Sequence, residues 1–174
     1  TILGMNGNDI IYGHNGNDKL YGGEGNDYID GGDDTDIILG GLGDDDLLGG
    51  ALNDTIYNEE GTDTIDGGSG NDTLIFKEGT QGITIDLTGT TNNAIDAFGN
   101  TESITTIEHI TATTQKDVIT TNNSANIIKA GSEDDTIYGS LGNDNISGDA
   151  GKDLLDYSNL SSGYGVELEL GDNA

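Results

Sequence analysis

Gly22-Gly23-Glu24-Gly25-Asn26-Asp27-Tyr28-Ile29-Asp30 is the cleanest copy of a nine-residue unit that repeats from Gly4 to Ile75. The copies begin at Gly4, Gly13, Gly22, Gly31, Gly40, Gly49, Asn58 and Gly67. Their sixth slot is always aspartate: Asp9, Asp18, Asp27, Asp36, Asp45, Asp54, Asp63 and Asp72. Their eighth slot is always aliphatic: Ile11, Leu20, Ile29, Ile38, Leu47, Ile56, Ile65 and Leu74. The first six residues of each copy are glycine-rich turn chemistry, and the last three place one aliphatic side chain in a short strand. Strands this short cannot stand alone and must stack on identical neighbours, which is the logic of a solenoid.

Residues 1–3 read as the end of a preceding unit, with Ile2 in the aliphatic slot. Residues 76–111 break the motif. Within them Gly82 to Leu87 alternates apolar and polar like a strand, Thr88 to Thr101 reads as a loop, and Ser103 to Ile110 is strand-like again. The interruption is a whole number of nonapeptides, so the frame resumes beyond it. The aliphatic slot continues at Ile110, Ile119, Ile128, Ile137, Ile146 and Leu155, and the sixth slot at Asp117, Asn126, Asp135, Asp144 and Asp153. The turns at Ala112 and Thr121 have lost their glycines and are expected to stack without binding metal well; those at Ala130, Gly139 and Gly148 keep some. The expected organisation is therefore 1–75, eight regular units; 76–111, connecting strands and a loop; 112–156, a second, degenerate block; and 157–174, the start of another connector, where Gly165 to Leu170 echoes Gly82 to Leu87.

Composition narrows the partners. The chain has 174 residues with 33 acidic side chains, five lysines and no arginine, a formal charge of −28. Such a chain repels itself and should compact poorly without counter-ions. It is a poor partner for nucleic acid, and no apolar stretch approaches a membrane span. The absence of cysteine excludes a disulfide framework and a thiolate site. The chain has neither an initiator methionine nor a signal peptide, and reads as a piece of something longer.

A cation is the natural partner. Calcium takes six to eight oxygens from carboxylates and carbonyls in a tolerant geometry, whereas magnesium demands a stricter octahedron and keeps its waters. Zinc is disfavoured without cysteine and with only His14 and His109, far apart in the frame. One turn is a poor site, but two stacked turns offer two carboxylates and enough carbonyls for a shell. No segment has the acidic spacing of an EF-hand loop.

Gly-Gly-x-Gly-x-Asp-x-aliphatic-x resembles the RTX (repeats-in-toxin), hemolysin-type family, well over 4–75 and less closely over 130–156. The resemblance implies an all-β fold, a right-handed parallel β-roll with two nonapeptides per coil. It implies a calcium ion between each turn and the second turn after it. The earlier turn would give carbonyls from slots one and three, the later from slots two and four, and both the aspartate. Carried onto this chain, Gly4, Asn6 and Asp9 pair with Gly23, Gly25 and Asp27. Gly13, Asn15 and Asp18 pair with Gly32, Asp34 and Asp36. Gly22, Glu24 and Asp27 pair with Gly41, Gly43 and Asp45, and Gly31, Asp33 and Asp36 with Gly50, Leu52 and Asp54. Gly40, Leu42 and Asp45 face the turn carrying Asp63, and Gly49, Ala51 and Asp54 face Gly68, Gly70 and Asp72. In the later block Ala130, Ser132 and Asp135 pair with Asp149, Gly151 and Asp153, while Gly139 and Asp144 meet the neutral Asn126 in a weaker site. About six to nine calcium ions follow. The resemblance also implies export, unfolded, through a type I secretion apparatus, and folding at the calcium levels outside the cell.

Several positions depart from the pattern. Asp34 and Leu52 replace the fourth-slot glycine, Asn58 the first, and Met5, His14 and Glu59 the second; a side chain at a positive-φ slot costs about 1 kcal/mol or more. Other readings are weaker. Asp33-Asp34 and Asp44-Asp45-Asp46 could be acid–base pairs, but nothing supplies a nucleophile or a pocket, so no catalytic residue is assigned. The outward ladder Tyr21, Leu39, Tyr57 and Ile75, or the threonine-rich run from Thr105 to Thr121, could serve an adhesion module that binds a glycan, ice or a surface. An accessory role beside an exported protease, lipase or epimerase is the third alternative.

Overall fold

The computed structural model describes residues 1–89 and 93–160. It is all-β. The regular block contributes β1 (Ile2–Asn6), β2 (Ile10–Tyr12), β3 (Lys19–Glu24), β4 (Tyr28–Gly32), β5 (Ile37–Leu42), β6 (Asp46–Ala51), β7 (Thr55–Asn58), β8 (Thr64–Ser69) and β9 (Thr73–Phe76). The interruption contributes β10 (Thr84–Asp86), β11 (Ala94–Ile95), β12 (Thr101–Thr105) and β13 (His109–Thr111). β14 (Val118–Thr120), β15 (Ile127–Lys129), β16 (Thr136–Tyr138), β17 (Asn145–Ser147) and β18 (Leu154–Asp156) complete the roll.

Successive strands alternate between two sheets from β1 to β9 and from β13 to β18, while β10, β11 and β12 all lie in the second. The first has the order β1-β3-β5-β7-β9-β13-β15-β17, the second β18-β16-β14-β10-β11-β12-β8-β6-β4-β2. Within the regular block each strand pairs in parallel with the one two nonapeptides later, so Leu20 lies beside Ile38 and Ile29 beside Leu47. A strand with one inward side chain buries it only if the facing sheet does the same. The eighth-slot side chains accordingly form the core: Ile11 is 5% exposed, and Leu20, Ile29, Ile38, Leu47, Ile56, Ile65 and Leu74 are at most 1% exposed. The chain is therefore a parallel β-solenoid, the β-roll expected from the repeat.

The interruption stays within the roll. In the first sheet the frame carries straight across, with Leu74 paired to Ile110 and Ile110 to Ile128. In the second sheet it does not. β9 leads into β10, which lies against β14; β11 turns back antiparallel; and β12 then runs parallel to β8. Ile65 meets Ile104 there rather than Thr101, its in-frame counterpart. The expected loop from Thr88 to Thr101 thus contains a strand, β11, and the strand expected from Ser103 to Ile110 is split by a turn into β12 and β13. The split is physical: Thr106 takes a φ of 49°, which no strand tolerates. The strand expected at Gly165 to Leu170 lies outside the described residues.

Ile56 fills the middle of the core with no exposed surface. Ile56→Ala should cost about 2–5 kcal/mol, since the flanking coils cannot collapse into the space. Urea unfolding in saturating calcium measures this, and a loss below 1 kcal/mol would contradict the packing described.

Candidate metal centre

The turns stack along two edges of the roll, and each sixth-slot aspartate sits above the aspartate one coil earlier. On one edge the main-chain N–H of Asp9 donates to Asp27 Oδ1 at 2.8 Å, that of Asp27 to Asp45 Oδ1 at 2.8 Å, and that of Asp45 to Asp63 Oδ1 at 3.0 Å. On the other, Asp18 donates to Asp36 at 2.7 Å, Asp36 to Asp54 at 2.8 Å and Asp54 to Asp72 at 2.8 Å. The pairs eighteen residues apart are thus brought together. The second carboxylate oxygen has a different fate. Oδ2 of Asp9, Asp27, Asp36, Asp45, Asp54, Asp72 and Asp135 is buried with no hydrogen-bond partner.

Several column carboxylates have a raised pKa. Burial, opposed by the main-chain hydrogen bond and reinforced by neighbouring aspartates, pushes Asp45 and Asp54 up to about 7 and Asp63 and Asp135 up to about 6. Asp36 and Asp72 move the same way for the same cause. Among the described residues the only lysine in an ion pair is Lys77, 2.9 Å from Glu59, and the ion pair on a column aspartate is that of the N-terminal ammonium, 3.5 Å from Asp18 Oδ1.

The glycines answer two separate demands. At slot two the chain needs a positive φ, 125° at Gly23, and a side chain there would also collide with the carbonyl oxygen of Met5 one coil earlier. At slot one φ is ordinary, but a Cβ on Gly22 would occupy the place of Asp27 Oδ2. Met5, His14, Asp34 and Leu52 do adopt the positive φ expected of their slots, from 68° to 89°, whereas Asn58 and Glu59 do not.

Carbonyl directions reverse the set that the resemblance implied. Slot-two and slot-four carbonyls point to the later turn: Met5 O faces Gly23 and Gly7 O faces Gly25. Slot-one and slot-three carbonyls point to the earlier turn: Gly22 O faces Gly4, and Glu24 O accepts the N–H of Gly7 at 2.7 Å. The gap between the first and third turns is thus faced by carbonyls of Met5, Gly7, Gly22 and Glu24. Gly23 and Gly25 instead face the turn beyond, towards Gly41 and Gly43. The same reversal turns His14 O towards Gly32 and Gly50 O towards Gly68, and in the later block Glu133 O towards Gly151. The reason is strand geometry: successive carbonyls in a parallel ladder alternate in direction, and the positive φ at slots two and four fixes which set points forward.

Not every gap is equal. Asn58 Nδ2 donates to Asp63 Oδ2 at 3.3 Å, filling the place that is open elsewhere. Thr113 donates to both oxygens of Asp117, and Ser140 to Asp144 Oδ2 at 3.4 Å. Asn126 faces Asp144 as expected, with its own Oδ1 unpartnered, and Asp153 is exposed. Two carboxylates outside the expected set join the columns: Asp63 donates its N–H to Glu102 Oε2, and Asp72 to Glu108 Oε2 at 3.0 Å. Glu108 stands in the sixth slot when the frame is counted across the interruption, a signal available in the sequence; Glu102 stands out of frame. His14 stacks on Tyr12 and His109 lies on β13, so they share no site.

No three His, Asp or Glu side chains cluster among the described residues, so any ion must draw on main-chain carbonyls. Paired carboxylates with unmatched oxygens, lined by inward carbonyls, suit a hard cation that takes oxygen ligands, and fit calcium. The RTX calcium-binding nonapeptide repeat model matches four times, over residues 1–29, 12–47, 39–74 and 120–155, more than half of the chain. The chain belongs to the RTX calcium-binding nonapeptide repeat family. It is a calcium-binding structural module of the RTX type. A comparison with curated proteins finds no match.

The raised carboxylate values fix the sign of the pH dependence. Unfolded aspartates titrate near 3.9, so between about 4 and 7 the metal-free RTX fold holds protons that the unfolded chain releases, and its stability falls as pH rises. In chelator, β-structure followed by circular dichroism should grow from pH 8 to pH 5. In limiting calcium the order reverses, since protons compete for Asp45 and Asp54. A metal-free chain less folded at pH 5 than at pH 8 would contradict the assignment.

Proposed function

We propose that this chain is the calcium-dependent folding module of a larger secreted bacterial protein, exported unfolded by a type I apparatus and folded outside the cell. The observation that carries the reading is the double column of buried aspartates whose Oδ2 atoms have no partner. Buried charges of one sign oppose folding until a counter-charge arrives. Each ion would take the two aspartates of a gap, the slot-two and slot-four carbonyls of the earlier turn and the slot-one and slot-three carbonyls of the later one. About six to nine ions would bind, with on the order of 10⁻⁴–10⁻³ M calcium needed as in extracellular modules, so the chain would stay open in a cytosol. The module does no chemistry of its own in this reading. Circular dichroism with calcium and with excess chelator at pH 7.5 tests it. The β-spectrum should be lost in chelator and restored by calcium; a spectrum indifferent to chelator overturns it.

A second reading, an adhesion or ligand-binding module, is favoured by one feature. The outward seventh- and ninth-slot positions of the first sheet carry no acidic residue: Lys19, Tyr21, Ile37, Leu39, Thr55, Tyr57, Thr73, Ile75, His109, Thr111, Ile127 and Lys129 follow one another across it. The second sheet presents Asp30, Asp46, Asp66, Asp86 and Asp156 at equivalent places. A neutral glycan is the ligand such a face suits. The threonine-rich run gives no flat array, because Thr111 and Thr120 lie on different sheets and Thr113 and Thr121 are buried. Glycan-array binding in calcium, lost in Tyr21→Ser/Tyr57→Ser, is the expected result; absence of binding to any glycan removes this reading and leaves the first.

A further inference from the structure

We infer that the interruption supplies a calcium site of its own, held by Glu102, which lies outside every nonapeptide and stands above Asp63. The inference rests on the calcium-binding reading of the repeats. It starts from what distinguishes the regular turns: one carboxylate oxygen takes the N–H of the aspartate a coil earlier, and the other is buried without a partner. Glu102 repeats both halves of that arrangement. Its Oε2 accepts the main-chain N–H of Asp63, its Oε1 is buried and unpartnered, and the residue has no exposed surface.

The other acidic residues near the interruption do not share it. Glu108 accepts the N–H of Asp72 but is only half-buried. Asp117 has both oxygens taken by Thr113 and a further N–H from Ile83 at 2.6 Å. Asp96 is buried, yet its Oδ1 accepts the N–H groups of Phe98, Gly99 and Asn100, at 2.9, 2.7 and 2.7 Å. Those bonds tie the loop that delivers Glu102 to the edge of the roll. Asp96 therefore positions the loop and adds negative potential, but has little capacity left for an ion.

The charge at this joint is unmatched. Asp63, Asp96 and Asp44 all act on Glu102, and Lys77, the ion-paired lysine, is engaged outward with Glu59. A sealed carboxylate without a counter-charge is costly, and a bound divalent cation removes that cost while leaving it ionised. Glu102 Oε1 is the open carboxylate oxygen here, because Asp63 accepts from the N–H of Asp45 and from Asn58 Nδ2; an ion would complete its shell with main-chain carbonyls and water, which suits calcium better than zinc or copper. The longer glutamate lets a strand out of frame place its carboxylate where an aspartate of the regular coil would stand.

Native mass spectrometry in calcium counts the ions on the whole chain. Glu102→Gln should carry one ion fewer than the parent, and Asp30→Asn, an outward charge control on β4, the full number. A full count on Glu102→Gln overturns the inference. Crystals of the unaltered chain grown with terbium in place of calcium decide the matter even if Glu102→Gln does not fold. An anomalous peak within bonding distance of Glu102 Oε1 is expected. Peaks at the repeat turns with none at Glu102 overturn the extra site alone; no peaks anywhere overturn it together with the calcium reading of the repeats.

Discussion

A carboxylate that spends one oxygen on a main-chain N–H and leaves the other sealed and unmatched is the constraint on which the rest of this roll depends. Repeated every coil, it builds two columns of like charge. Neighbouring strands lie about 4.8 Å apart, and at an effective dielectric of about 20 two unit charges at that distance repel by about 3–4 kcal/mol. The core opposing this is thin, one aliphatic side chain per short strand. Each such side chain contributes about 1.5–3 kcal/mol on burial, so the gain per nonapeptide is of the same size as the repulsion it must overcome. A cation bound within a column would offset that repulsion.

The formula Gly-Gly-x-Gly-x-Asp looks like a uniform demand for flexible residues, and it is not one. Slots two and four take the left-handed backbone in every regular turn except at Glu59; slot one needs empty space beside the aspartate of its own turn. This explains why Met5, His14, Asp34 and Leu52 are tolerated: each has a Cβ but can be forced to a positive φ. Asn58 is different in kind. It keeps ordinary φ, places its amide against Asp63, and turns its own carbonyl towards Lys77 at 3.0 Å. One substitution thus removes both a carbonyl and an open carboxylate oxygen from the same gap.

The architecture was legible because periodicity repeats its own message. The aliphatic slot named every core residue from Ile11 to Leu74, and the aspartate slot named both columns. What stayed hidden depends on atoms rather than residue types. Two alternating carbonyl sets fit the same spacing, and only the φ values decide between them. The route of the interruption was hidden for another reason. Its pairings join segments far apart in the chain, and Ile104 entered the core out of frame, so counting by nines passed over it and over Glu102.

In the later block several column oxygens are met by the chain itself. At two of its aspartates a neutral donor meets the oxygen that is open in the regular coils: Thr113 on Asp117 and Ser140 on Asp144. A hydroxyl or amide brings hydrogen bonds but no charge, so it satisfies the oxygen while leaving the repulsion between coils in place. Sparser charge must then make up the difference. Asn126 stands in the column as a neutral residue, and Asp153 has moved into solvent. Loss of glycine, gain of hydroxyls and dilution of the acidic column are one coordinated change, because each alone would leave either a collision, an unmatched oxygen or an uncompensated charge. The regular coils and the later ones thus differ in degree: most aspartates of the first keep an open oxygen, while in the second Asp135 keeps one and Thr113 and Ser140 meet those of Asp117 and Asp144.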